Sequence, residues 1–115
     1  MQKIGQYNFL EKIDLSYNCL RSLKSLSGLR YLTSLTVCHN QLTTVLHMKE
    51  IPLALDCLDL SFNLIASIPD LSKHKALRVL KLSGNKLTNI SGIQNNKNLK
   101  KLDLSENSIE EIKGV

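Results

Sequence analysis

The chain has 115 residues, 43% of them hydrophobic and only 4% aromatic, with no Trp and a formal net charge of +5. That length suits one domain, and the scarcity of rings excludes a core built around large aromatics, so Leu and Ile must fill it. A membrane span needs about 20 apolar residues, whereas the longest apolar run, Ile51–Leu55, already contains Pro52, and Glu11, Lys12 and Asp14 follow Lys3 too soon for a secretory signal.

Residues 1–9 read as the tail of a repeating unit, because Ile4 and Tyr7 match the places that Leu26 and Leu29 hold in the next. Full units then begin at residues 10, 32, 55, 77 and 99, the last incomplete, within one domain spanning residues 1–115. They read Leu10-EKIDLSYNCL, Leu32-TSLTVCHNQL, Leu55-DCLDLSFNLI, Leu77-RVLKLSGNKL and Leu99-KKLDLSENSI. Their asparagines, Asn18, Asn40, Asn63, Asn85 and Asn107, recur at steps of 22, 23, 22 and 22 residues.

Counting the first Leu as position 1, aliphatic residues stand at positions 1, 4, 6 and 11 and Asn at 9. Positions 4 and 6 alternate with polar residues, which is a strand pattern. Ile13/Leu15, Leu35/Val37, Leu58/Leu60, Leu80/Leu82 and Leu102/Leu104 are therefore expected to point inward from five short parallel strands. The Asn amide offers donors and an acceptor where the backbone leaves the strand, and a buried group left unsatisfied there costs about 1–3 kcal/mol. Each unit then continues at three-residue spacing: Leu23, Leu26 and Leu29 before Leu32, then Val45, Met48 and Ile51, then Ile68 and Leu71, then Ile90 and Ile93. That spacing predicts 3₁₀ or irregular turns on the outer side, with Ser27-Gly28, Pro69-Asp70 and Ser91-Gly92 as tight turns. The slot held by Leu29 and Ile51 becomes His74 and then Asn96, so the outer side is expected to be polar and looser in those units.

These segments resemble L-x-x-L-x-L-x-x-N-x-L, the signature of leucine-rich repeats, over nearly the whole chain. The Leu23/Leu26/Leu29/Leu32 extension is similar to the 22-residue subclass, whose members include a nuclear regulatory subunit of protein phosphatase 1, an axonemal dynein light chain, a spliceosomal protein and tubulin-folding cofactors. The resemblance implies an α/β right-handed solenoid, with strands on the concave face and 3₁₀ turns on the convex side, that binds another protein on its concave face. Phosphatase regulation and a cytoskeletal or ciliary adaptor role are the specific forms it implies. Neither end shows a capping unit. The expectation is a piece of a longer solenoid, a minimal gene product, or a part that continues onto a partner, with ends able to self-associate.

Positions 3, 5, 7 and 8 are expected to face outward from the strands, giving about as many residues as the roughly 20–30 per side of a standard interface. The candidate partner-binding residues are Tyr17, His39, Phe62, Asp14, Thr36, Asp59, Lys81, Asp103 and Glu106, with Tyr17, His39 and Phe62 side by side on the rim. Counting Lys12, Lys81 and Lys101 against Asp14, Asp59, Asp103 and Glu106 gives this face a charge of −1, so the basic surplus lies elsewhere. That disfavours a nucleic-acid groove, which wants a basic stripe between stacking rings.

No catalytic or metal constellation emerges, and no cofactor is expected. Ser16, Ser61, Ser83 and Ser105 recur as one repeat position, and Cys38 and His39 should diverge at the turn. Cys38 and Cys57 fall four positions apart in register, roughly 13 Å at strand rise, too far to bridge. With Cys19 they read as free thiols of an intracellular protein, cytoplasmic or nuclear.

Overall fold

The computed structural model describes residues 9–23, 26, 28–43, 53–68, 71–90 and 96–109. Five three-residue strands follow one another: β1 (Lys12–Asp14), β2 (Ser34–Thr36), β3 (Cys57–Asp59), β4 (Val79–Lys81) and β5 (Lys101–Asp103). They form one parallel sheet in sequence order. Repeat positions pair with themselves, Ile13 with Leu35, Leu35 with Leu58, Leu58 with Leu80 and Leu80 with Leu102. Each unit contributes one strand, and the units stack as a solenoid.

The alternation expected from the sequence holds. Leu35, Val37, Leu58, Leu60, Leu80 and Leu82 are fully buried, and the equivalent residues of the first and last units pack partly buried against them. Position 11 joins the same core through Leu42, Ile65 and Leu87. On the outer side, Leu26 N donates to Leu23 O at 3.0 Å, Leu29 N to Leu26 O at 3.1 Å and Leu32 N to Leu29 O at 3.2 Å. The three-residue spacing of these leucines is thus the spacing of the hydrogen bonds themselves, which keeps every one of the four side chains on the buried edge.

His74 and Asn96 stand in the outer slot as the polar residues expected there. Both are buried, at 1% and 8% exposure. His74 continues the three-residue bonding, accepting from Leu77 N and donating to Leu71 O. Asn96 Nδ2 donates to His74 O at 2.8 Å, and its Oδ1 accepts from Asn98 N. An amide that bonds across units can occupy an aliphatic slot because its polar atoms are satisfied there. Ile4, Tyr7, Val45, Met48, Ile51, Pro52, Ile93 and the turns Pro69-Asp70 and Ser91-Gly92 lie outside the described residues, as does Ser27.

The asparagine ladder ties the units together. Asn63 Nδ2 donates to Leu60 O and Ser61 O of its own unit and to Val37 O of the preceding one, and its Oδ1 accepts from Leu42 N. Asn40, Asn85 and Asn107 repeat the pattern. Asn18 is exposed and bonds, among the described residues, only Leu15 O and Ser16 O. On the surface, Arg78 Nε and Nη2 reach Asp56 Oδ1 and Oδ2 at 2.7 Å each, a bidentate pair across adjacent units. The guanidinium holds the Asp56 carboxyl below its ordinary range.

Candidate protein-binding face

Beyond position 5 the chain leaves strand geometry but keeps its ladder. Tyr17 N donates to Cys38 O, His39 N to Ser61 O, Phe62 N to Ser83 O and Gly84 N to Ser105 O, at 2.7–3.1 Å. Position 8 closes the turn in the left-handed region: φ is 60° at Tyr17, 57° at His39, 58° at Phe62, 68° at Gly84 and 55° at Glu106. Five consecutive units therefore put one residue each in a conformation that L side chains seldom adopt. This turn, rather than strand alternation, throws the position 8 side chains outward.

The first three form a continuous stack. Tyr17 and His39 lie 4.4 Å apart between ring centroids at 9°, and His39 and Phe62 4.7 Å apart at 5°. Phe62 then covers the place a Cβ on Gly84 would occupy. Tyr17 is 77% and Phe62 40% exposed. The rings are thus one stacked aromatic wall at the surface.

That wall borders a groove of about 790 Å³ over the sheet, lined further by Asp14, Asp59, Lys81, Asp103 and Glu106. Of the nine partner-binding candidates the groove gathers all but Thr36, which lies half-buried in β2 between Asp14 and Asp59. One sequence expectation needs correction. Position 7 is not uniformly outward: Ser61 and Ser83 are buried at 6% exposure and form the groove floor, because the turn tucks them beneath position 8. The groove itself is lined by four carboxylates and one ammonium, with Lys12 and Lys101 beside them at position 3 of β1 and β5 on the same face.

The carboxylates are fixed by short local bonds. Asp14, Asp59 and Asp103 each accept through Oδ1 from the backbone N–H two residues on, at Ser16, Ser61 and Ser105. The Ser16 hydroxyl and then its N–H hold the Asp14 carboxyl below its usual range. The Ser105 hydroxyl, at 2.7 Å, and N–H do the same for Asp103, helped by Lys81 and Lys101. Where Thr36 replaces the acid, Ser16 Oγ instead accepts from Cys38 N.

Burial, and then the neighbouring Asp59 carboxylate, push the Cys38 thiol up to about 11 from 9.0. His39 is occupied between two rings, so the adjacent thiol and imidazole face different surroundings. All three cysteines are free thiols. Alkylation by iodoacetamide at pH 8 should label Cys38 on the order of 100-fold more slowly than an ordinary thiol, since only thiolate reacts. Mass spectrometry of peptides after timed quenching reads this, and labelling of Cys38 as fast as in the urea-unfolded chain would contradict it. Among the described residues no three His, Cys, Asp or Glu gather to hold a metal ion, and no helix is long and apolar enough to cross a membrane.

A second aromatic pair escaped the sequence reading. Phe9 and Tyr31 stack at 5.4 Å and 24°, both exposed, beside Gly28 and Arg30. Each immediately precedes position 1 of its unit, and that common place was the available signal.

The family of Leucine Rich repeats (2 copies) matches residues 54–95 and 75–114, together just over half of the chain. No curated protein matches. Among solved structures, the fold is similar to that of an internalin, inlF, from Listeria monocytogenes, at 24% identity and a TM-score of 0.84, covering 97% of this chain and 33% of that one. An internalin C2 from the same organism is similar at 23% identity and 0.80, over 91% and 46% of the two chains. A leucine-rich repeat protein of Leptospira interrogans is similar at 32% identity and 0.82, over 96% and 29%. The chain therefore spans between 29% and 46% of the length of each. Repeat register, asparagine ladder and sequence match agree: this chain belongs to the leucine-rich repeat family.

Proposed function

We propose that the chain is a protein-interaction module that binds a partner protein on its strand face. The observation that carries this reading is the exposed Tyr17–His39–Phe62 wall beside the groove. Three stacked rings outside the core add little to burying the leucines, whereas rigid aromatics around a groove are what concentrates binding energy at interfaces. Extended faces of stacked repeats serve this purpose generally. Regulation of a protein phosphatase and a cytoskeletal or ciliary adaptor role are two forms of the same reading that differ in the partner. Residence in the cytoplasm or nucleus belongs to it as well, supported by the free thiols Cys19, Cys38 and Cys57. The acidic groove opposes a phosphate backbone, which argues against nucleic acid there.

An affinity pull-down tests it. A partner captured by the native chain should be lost by a variant carrying Tyr17→Ala, Phe62→Ala and Asp59→Asn, and retained by the outer-surface variant Lys73→Ala. Phe62→Ala alone should weaken binding by at least about tenfold, the scale of an aromatic hot spot. Undiminished capture by the folded triple variant defeats the reading.

A further inference from the structure

The groove is lined by four carboxylates and one ammonium, with Lys12 and Lys101 beside it on β1 and β5, on a chain of net charge +5. Its charges also have a period. Across the sheet, position 5 reads Asp14, Thr36, Asp59, Lys81, Asp103, each paired in register with the next. A carboxylate therefore stands on every second strand, with the only opposite charge of the row between the last two. Strands stack about 4.8 Å apart, so the carboxylates repeat at about 9.6 Å. The Oδ1 bonds to Ser16, Ser61 and Ser105 set this register before any ligand arrives. A carboxylate can accept further bonds beyond those.

We propose that the occupant of this groove is a basic amphipathic helix of a partner protein, lying across the strands with cationic side chains one heptad apart. This rests on the interaction-face reading above and deepens it. Helix residues seven apart lie about 10.5 Å apart along the axis and close to one face, matching the carboxylate period within about 1 Å. An extended segment presents same-face residues at about 6.7 or 13.4 Å and matches neither interval. Lys81 sharpens the match. No ion pair joins it to Asp59 or Asp103 among the described residues, and a helix residue three or four places on from a cation comes within about 5–6 Å of it. An acidic residue midway between the second and third cations therefore meets Lys81. Apolar residues on the neighbouring helix stripe lie against the edges of the Tyr17–His39–Phe62 wall.

The test uses the full chain and fluorescence anisotropy at low salt with synthetic Ala-based helical peptides of three heptads. One peptide carries Lys every seventh residue and Glu midway between the second and third; another has the same composition with its lysines on different faces. The heptad peptide should bind about tenfold tighter or better, the scale of a close charge pair. Asp59→Asn keeps the acceptor for Ser61 N–H and should lower heptad-peptide affinity about tenfold. In Lys81→Glu, exchanging the midway Glu of the peptide for Lys should become favourable. Equal binding of the two peptides, indifference to Asp59→Asn, or tighter binding of a proline-interrupted peptide of the same charge overturns the proposal. Those results leave the wider reading untouched, because capture of a partner by the native chain and its loss in the triple variant decide that separately.

Discussion

Asn63→Ala is expected to lower the unfolding free energy by about 2–3 kcal/mol, and Asn18→Ala by less than about 0.5 kcal/mol, in urea denaturation of otherwise identical chains. Both asparagines occupy position 9. Asn63 is 4% exposed and makes four bonds, to Leu42 N, Val37 O, Leu60 O and Ser61 O. Ala removes all four and leaves Leu42 N a donor in a site closed to water, where the loss is not repaid by hydration. Among the described residues the exposed Asn18 bonds only two carbonyls of its own unit, and water can replace it. Equal effects at the two sites would show that side-chain identity, and not the burial of the bridged backbone groups, explains the repeated residue.

Gly84→Ala is expected to cost about 2–3 kcal/mol, though Gly84 sits at the surface end of its turn rather than in the core. Part of this is backbone strain of about 1–2 kcal/mol for an L residue at φ 68°. Tyr17, His39, Phe62 and Glu106 bear the same strain in their own units, so it alone does not unfold the chain. The rest is local: a methyl at Gly84 falls within the Phe62 ring and must drive it off the stack. The Phe62→Ala background removes that second part. A double-mutant cycle should therefore show a coupling of about 1 kcal/mol or more between the two sites. Additive effects would mean that the ring moves aside freely and is not held in the wall.

The strands, their inward residues and the asparagines were legible because each is enforced by burial that repeats: one wrong residue at position 4 or 6 would open the common core. The outer 3₁₀ bonds were legible for the same reason, from the spacing of Leu23, Leu26, Leu29 and Leu32. His74 and Asn96 were legible as a polar break in the outer slot, but hydropathy cannot see the hydrogen bond across units that accompanies their burial, here Asn96 Nδ2 to His74 O. The site was legible as a set of residues and not as a geometry. Tyr17, His39 and Phe62 could be aligned in one row, but nothing in their identities announces a left-handed turn. Only Gly84 in the same row pointed to it.

The left-handed turn at position 8 has a consequence for how this surface can vary. Positions 6 and 9 hold Val or Leu and Asn in every unit, while position 8 runs through Tyr, His, Phe, Gly and Glu. The backbone strain there is nearly the same for each of the four L residues, so the framework is indifferent to which one is chosen. Neighbours are not indifferent, because Phe62 claims the space above Gly84. Diversification along this row is therefore conditional: a bulky choice in one unit restricts the next, and shrinking Phe62 would release Gly84 to become a recognition residue in its turn. New specificities on this scaffold are reached by changing adjacent units in pairs.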